Sequence, residues 1–400
     1  MSIKFQLNTM QVNSSEPIAL LDKSEVAKAL DFHAGFPEYR PTPLASLSRL
    51  AQNIGVGGIY VKDESYRFGL NAFKVLGGSF AIGKYIAQML GKDISELGYQ
   101  ALTSHSVREQ LGTVTFATTT DGNHGRGVAW TANKLRQQAV VYMPKGTQQI
   151  RLEHICSLGA DACITDMNYD DTVRMTAKYA QENNWVIVQD TAWEGYTDIP
   201  SWIMQGYATM GLEAVKQLSA QNIRPTHIFL QAGVGSMAAA ILGLFVNLYT
   251  PCPRTVIVEA EQAACFYKSA TRGDGNIHNV DGDLATIMAG LACGEINPTA
   301  WEIIGKHAAL FASCPDWVAA DGMRILGNPL VGDERVISGE SGAVTTGLLH
   351  AIMTRAEYAD VKQQLALDEH SQILLFSTEG DTDPDMYRHI VWQGECTVTR

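Results

Sequence analysis

The chain has 400 residues, 46% of them hydrophobic and 18% charged, with a formal net charge of −12. That length exceeds one hydrophobic core and predicts two domains, while the acidic balance, with no clustered Lys/Arg stripe, excludes a nucleic-acid surface and leaves small molecules as the expected partners. The first fifteen residues lack a signal-peptide core, the apolar run near Met237 is too short to span a bilayer, and the seven cysteines show no CxxC or metal-like spacing, so a cytoplasmic protein with no metal and mostly reduced cysteines is expected.

Up to about Pro41 the sequence reads as an irregular arm with one helical segment, residues 24–32. Arg40-Pro-Thr-Pro-Leu44 forces an extended entry, because a residue before proline is pushed out of the α region. Residues 58–62 form a short strand, and after Arg67-Phe-Gly-Leu-Asn-Ala-Phe-Lys74 the apolar spacing of residues 75–90 is helical, which places Lys74 at a helix entrance. A lysine there opposes the helix dipole; taken alone it also reads as a solvated surface residue. Strands at 114–119, 139–143, 162–165 and 185–188 then alternate with helices, including 148–158 and 171–183, as in a parallel sheet of crossover units. A long helix, 201–218, leads to a second series with strands at 227–230, 255–259 and 372–376. The expected fold is α/β in two domains, each a mostly parallel twisted sheet flanked by helices. Residues 1–73 and 206–400 form the large domain and 74–205 the small one.

Two glycine-punctuated junctions carry the chemistry. In Thr118-Thr-Thr-Asp-Gly-Asn-His-Gly125 a strand breaks into a turn that opens a helix, and Asp121 and Asn123 are short polar side chains such a loop can aim at a ligand; the same residues also suit plain turn chemistry. Gln231-Ala-Gly-Val-Gly-Ser-Met237 ends a strand and starts a helix, where backbone N–H groups and the helix dipole favour a phosphate. Gly233-x-Gly235-x-x-Ala238 also fits a dinucleotide fingerprint, with Glu259 as the ribose-binding acid, so a nicotinamide-dependent oxidoreductase stands as a rival.

Taken together, Lys74, the 118–125 loop, the 233–237 loop and Ser377-Thr378-Glu-Gly-Asp381 resemble, in this order, the fold type II pyridoxal-phosphate enzymes, the family of threonine and serine dehydratases and cysteine synthase. Arg67-Phe-Gly-Leu-Asn-Ala-Phe-Lys74, the 118–125 loop, Asp190-Thr-Ala-Trp-Glu-Gly-Tyr196 and Ser338-Gly-Glu-Ser-Gly342 are similar to the diaminopropionate ammonia-lyase branch. The resemblance implies pyridoxal 5'-phosphate in the cleft between the domains, held covalently by Lys74. It implies a phosphate cradle of Gly233, Val234, Gly235, Ser236 and Met237, with Asn123 on the ring hydroxyl and Thr378 at the ring nitrogen. The implied reaction is elimination of ammonia from D- or L-2,3-diaminopropionate, with serine/threonine dehydration as the alternative, in a homodimer. Where the dehydratases carry a small hydroxyl residue, this chain has Asp121; a carboxylate there offers a general base or a partner for a second ammonium, and the resemblance implies that Asp121 and Asp190 serve opposite faces of the α-carbon. His124 reads as a packed histidine, and Glu340 as either a lining or a capping residue. Trp193 and Tyr196 sit where a lid would close, and Cys265 and Cys293 flank a glycine-rich loop.

Overall fold

The computed structural model describes residues 2–12, 16–120 and 122–397. The chain forms two compact units: Met1–Asp22, Pro41–Ala72 and Met210–Arg400 make the first, Lys23–Arg40 and Phe73–Thr209 the second.

Among its described residues the first unit holds a seven-stranded sheet in the order Lys4–Leu7, Leu310–Cys314, Arg254–Ala260, His227–Gln231, Gln372–Ser377, Gly58–Asp63, Leu44–Ser46. The five inner strands are mutually parallel and the two edge strands antiparallel. The inner strands are rich in Val, Ile, Leu and Phe and are buried along nearly their whole length, as expected where helices cover both faces of a parallel sheet. The amino-terminal arm is therefore less irregular than its sequence suggests. Lys4–Leu7 pairs with Leu310–Cys314, about three hundred residues away, so no local pattern announces either strand.

Among its described residues the second unit holds a fully parallel sheet in the order Asp161–Ile164, Gln138–Met143, Thr115–Thr119, Val186–Ile187. The last strand is short, pairing only Phe116 with Val186 and Ala117 with Ile187. Beyond it a side chain continues the ladder: the Gln189 amide accepts from Thr119 N at 3.2 Å and donates to Thr119 O at 3.1 Å. The helix Asn123–Lys134 crosses Val75–Met89 at backbone contact, and a Cβ on Gly127 would lie 2.7 Å from Val75 Cα.

In the first unit, Pro41-Thr-Pro-Leu44 and the strand Gly58–Asp63 meet in a buried charge cluster. Arg67 donates to both oxygens of Glu64 at 2.8 Å and to both oxygens of Glu213 at 2.8 and 2.9 Å, and Lys62 pairs with Glu213 at 2.7 Å. Thr42 ties them together: its N–H donates to Glu213, its hydroxyl to Glu64, and its carbonyl accepts from Lys62 and Gln217. Two cations face two carboxylates, and all four side chains are almost fully buried. Such a cluster is tolerable only because charge and hydrogen bonds are both balanced. Burial alone would raise the Glu213 carboxyl, but Arg67 and Lys62 outweigh it and hold it below its ordinary 4.5.

Replacing Glu213 with Gln leaves two buried cations against one carboxylate and is expected to cost about 3 kcal/mol, read as a lower urea midpoint at neutral pH. Because the folded carboxyl lies below its unfolded value, its contribution is complete above that value and is lost as pH falls through the carboxylate range. Glu213→Gln should therefore flatten the acid side of the stability profile. An unchanged midpoint and an unchanged acid limb would show that the cluster stabilises nothing.

Candidate active site

In each unit the conspicuous residues lie at the carboxyl ends of parallel strands, where α/β sheets present their ligand sites. In the second unit, the strand Thr115–Thr119 ends at Thr120, whose hydroxyl accepts from Gly122 N at 3.0 Å and Gly125 N at 3.2 Å. Asn123 is the first residue of the helix Asn123–Lys134 and is half-buried; Asp121 lies outside the described residues. The helix thus starts earlier than its glycines suggest. Gly125 serves a close approach to Thr120 and Val141 rather than a turn.

Lys74 stands immediately before the helix Val75–Met89 and forms an ion pair with Asp190, the residue after the Gln189 ladder extension. The pair removes the penalty of a cation at a helix N-terminus. Asp190 is buried. Burial would raise its carboxyl, but Lys74, then His124, outweigh burial and bring it down to about 2. Tyr207 adds a long hydrogen bond to the same oxygen, Tyr207 Oη to Asp190 Oδ2 at 3.5 Å, and burial pushes its phenol up, so it stays a donor. The ring of Phe73, next to Lys74, packs 4.8 Å from that of Tyr207. His124 Nε2 donates to Val188 O at 2.7 Å, which makes it a packed histidine that orients the strand end. Tyr196 accepts from Gln189 N at 2.8 Å and stacks on Trp193 at 4.2 Å, so it anchors the loop that carries Asp190.

In the first unit, Ala232 to Gly235 link the strand His227–Gln231 to the helix Ser236–Leu248, whose first residues are Ser236 and Met237. Gly235 is the helix N-cap at φ 93°, and a Cβ there would lie 2.3 Å from Phe266 Cζ, so only glycine fits. The first-turn N–H groups have no intrahelical acceptor and form a ready anion site. Asn297 holds the loop from behind: its N–H donates to Val234 O at 2.9 Å and its side-chain amide to Ser236 Oγ at 2.9 Å. On the neighbouring strand, Thr378 follows Gln372–Ser377 and is buried. Its hydroxyl accepts from Gln231 Nε2 at 3.0 Å. Ser338-Gly-Glu-Ser-Gly342 packs against this strand end. Ser377 Oγ donates to Ser338 Oγ at 2.8 Å, and Glu340 is the first residue of the helix Glu340–Thr354.

Glu259 is committed elsewhere than the dinucleotide reading requires. Its two oxygens accept from Phe266 N and Tyr267 N, both at 2.7 Å, so it caps the helix Cys265–Arg272 and has no free edge for a ribose. The Cys265 thiol donates to Cys293 O at 3.6 Å, and the two cysteines are not joined in a disulfide.

Pyridoxal phosphate needs an amine, an anion cradle and a ring-nitrogen partner, and Lys74, the Gly235-capped helix and Thr378 are of the right kinds. Sequence reasoning gave no role to Gln189, Tyr207, Gln231 or Asn297. Gln231 and Gln189 adjoin the motifs, and Asn297-Pro298 is a helix-start dipeptide, but their bonding partners are remote in sequence.

Comparison with known proteins is consistent with this chemistry. Residues 36–365 match the family described as pyridoxal-phosphate dependent enzyme. The diaminopropionate ammonia-lyase of Escherichia coli (strain K12) is 51% identical over 398 residues, covering 99% of this chain and 98% of that one. Two crystal structures of the Escherichia coli lyase are similar, each covering 100% of this chain and 99% of the other. The complex with D-serine has a TM-score of 0.93 at 49% identity, and the complex with the aminoacrylate-PLP azomethine reaction intermediate has 0.91 at 50%. With this identity along its whole length and these residues at its strand ends, the chain belongs to the fold type II pyridoxal-phosphate-dependent enzymes, in the diaminopropionate ammonia-lyase family.

Proposed function

We propose that the chain eliminates ammonia from D- and L-2,3-diaminopropionate, giving pyruvate and two ammonia, with pyridoxal 5'-phosphate as its cofactor. The observation that carries the reading is the Lys74–Asp190 pair, an amine at a helix entrance whose partner is a buried, ionised carboxylate. Bound pyridoxal phosphate supplies the electron sink that makes the substrate's α-proton removable. Lys74 is the amine that holds the cofactor and, once displaced, carries protons in the site. While Lys74 is a cation it holds Asp190 near 2, too weak a base for the task. Displaced as a neutral amine, Lys74 no longer holds the carboxylate down, and burial then raises the basicity of Asp190. Tyr207 keeps the carboxylate oriented. The 233–237 loop takes the phosphate, Asn123 the ring hydroxyl and Thr378 the ring nitrogen. Asp121 is assigned to the D-enantiomer and Asp190 to the L-enantiomer.

Residues 1–73 and 206–400 serve as the cofactor-binding domain and 74–205 as the smaller one. A homodimer in the cytoplasm completes the reading; among the described residues no helix is long and apolar enough to cross a membrane. Dehydration of serine or threonine is not favoured, given the full-length likeness to the ammonia-lyase.

Borohydride reduction followed by peptide mapping should place the pyridoxyl label on Lys74, and Lys74→Ala should abolish turnover while leaving the circular-dichroism spectrum unchanged. A label on Lys62, Lys84 or Lys145 would remove the basis for every other assignment. Asp190→Asn should lower kcat on the L-enantiomer by about a hundred- to ten-thousand-fold with far less effect on the D-enantiomer, and Asp121→Asn should do the reverse. Equal losses on both enantiomers, carried by KM alone, would show that the carboxylates only bind the distal ammonium.

A further inference from the structure

Resting on the reading that Thr378 meets the cofactor's ring nitrogen, we propose that Gln231 is a positioning residue that fixes the Thr378 hydroxyl as a donor and thereby keeps that nitrogen unprotonated. Gln231 ends the strand His227–Gln231, two residues before Gly233, and its side chain is buried between this strand and Gln372–Ser377. Its amide reaches Phe376 O at 2.9 Å and Thr378 Oγ1 at 3.0 Å through the same atom. A backbone carbonyl only accepts, so that atom is the nitrogen, and both of its hydrogens are used. The amide oxygen is buried and has no hydrogen-bond partner among the described residues. Turning the amide over would set that oxygen against the Phe376 carbonyl, two acceptors in contact. The backbone therefore locks Gln231 with its donor edge toward Thr378.

The lock determines what Thr378 offers. Its oxygen accepts from Gln231, and among the described residues its own proton has no hydrogen-bond acceptor in the protein. A ring nitrogen with a free lone pair supplies that acceptor. A protonated nitrogen would instead donate to the hydroxyl and leave the hydroxyl proton buried without a partner, which is unfavourable. Gln231 thus acts one bond away from the ring, and the strand that leads into the phosphate loop also sets the electronic state of the ring.

The test uses holoenzyme reconstituted with pyridoxal phosphate labelled with nitrogen-15 in the ring, read by the nitrogen chemical shift, together with the cofactor's Kd. In the wild type the shift should stay at the unprotonated value across the neutral range. Gln231→Glu supplies an acceptor that takes the Thr378 proton, so the shift should move toward the protonated value. Gln231→Met keeps the length but removes the donor; it should raise the cofactor Kd about tenfold and make the shift pH-dependent. If Gln231→Glu does not fold, Gln231→Met decides alone. Wild-type shift and Kd in a folded Gln231 variant, while Thr378→Val alters both, would overturn the inference and leave the placing of Thr378 intact. No change in Thr378→Val would overturn the underlying placing, and this inference with it.

Discussion

The balanced charge cluster around Thr42 is the constraint on which the course of the first unit's chain from Thr42 to Asn71 depends. Burying two cations and two carboxylates carries a desolvation cost of several kcal/mol per ion, and it is offset only if every partner keeps its place. That requirement fixes the exit of the strand Gly58–Asp63 and the start of the loop at Arg67. Beyond Arg67 the chain adopts left-handed conformations at Phe68 (φ 50°), Gly69 (φ 71°) and Asn71 (φ 57°), which for Phe68 is a strained choice that needs support on both sides. Support downstream comes from Gly380 N donating to Asn71 O at 3.0 Å and from Asn71 Nδ2 donating to Asp381 Oδ1 at 3.2 Å. The course of the chain is thus set up to Asn71, three residues before Lys74.

The second unit solves a different problem, which is to hold an amine and a carboxylate side by side without letting either collapse onto a wrong partner. Gln189 substitutes for missing backbone pairing at the end of a two-residue strand, Tyr196 pins the backbone of Gln189, and Asp190 follows directly. The Lys74 charge then does two things with one contact. It satisfies a buried carboxylate, and it holds that carboxylate well below the value burial alone would give it.

Much of the site was legible in the sequence because its parts are local. A glycine that must adopt positive φ at a helix start, a lysine at a helix entrance and a threonine one residue past a strand each sit inside a motif of fewer than ten residues, and Gly235, Lys74 and Thr378 are all where those motifs place them. Gly125, which the sequence marks as a place of tight backbone, lets the helix start approach Thr120 and Val141, while the contact of helix with helix at Val75 is made at Gly127. Cys265 and Cys293 do approach each other, as their flanking positions allowed, and remain thiols.

The sequence by itself determined the alternation of strands and helices, the order of the motifs and the kinds of side chain brought to the strand ends, because hydrophobic period, turn chemistry and helix capping act over a few residues. Only the tertiary structure decided how those side chains are used. Glu259 caps a helix, Gln231 turns its donor edge to Thr378, Asn297 braces the 233–237 loop, and Thr42, between two prolines, supplies the centre of a buried charge cluster. Each depends on partners far away in the chain, where hydrogen-bond complementarity in a dry interior, and not local propensity, selects the arrangement.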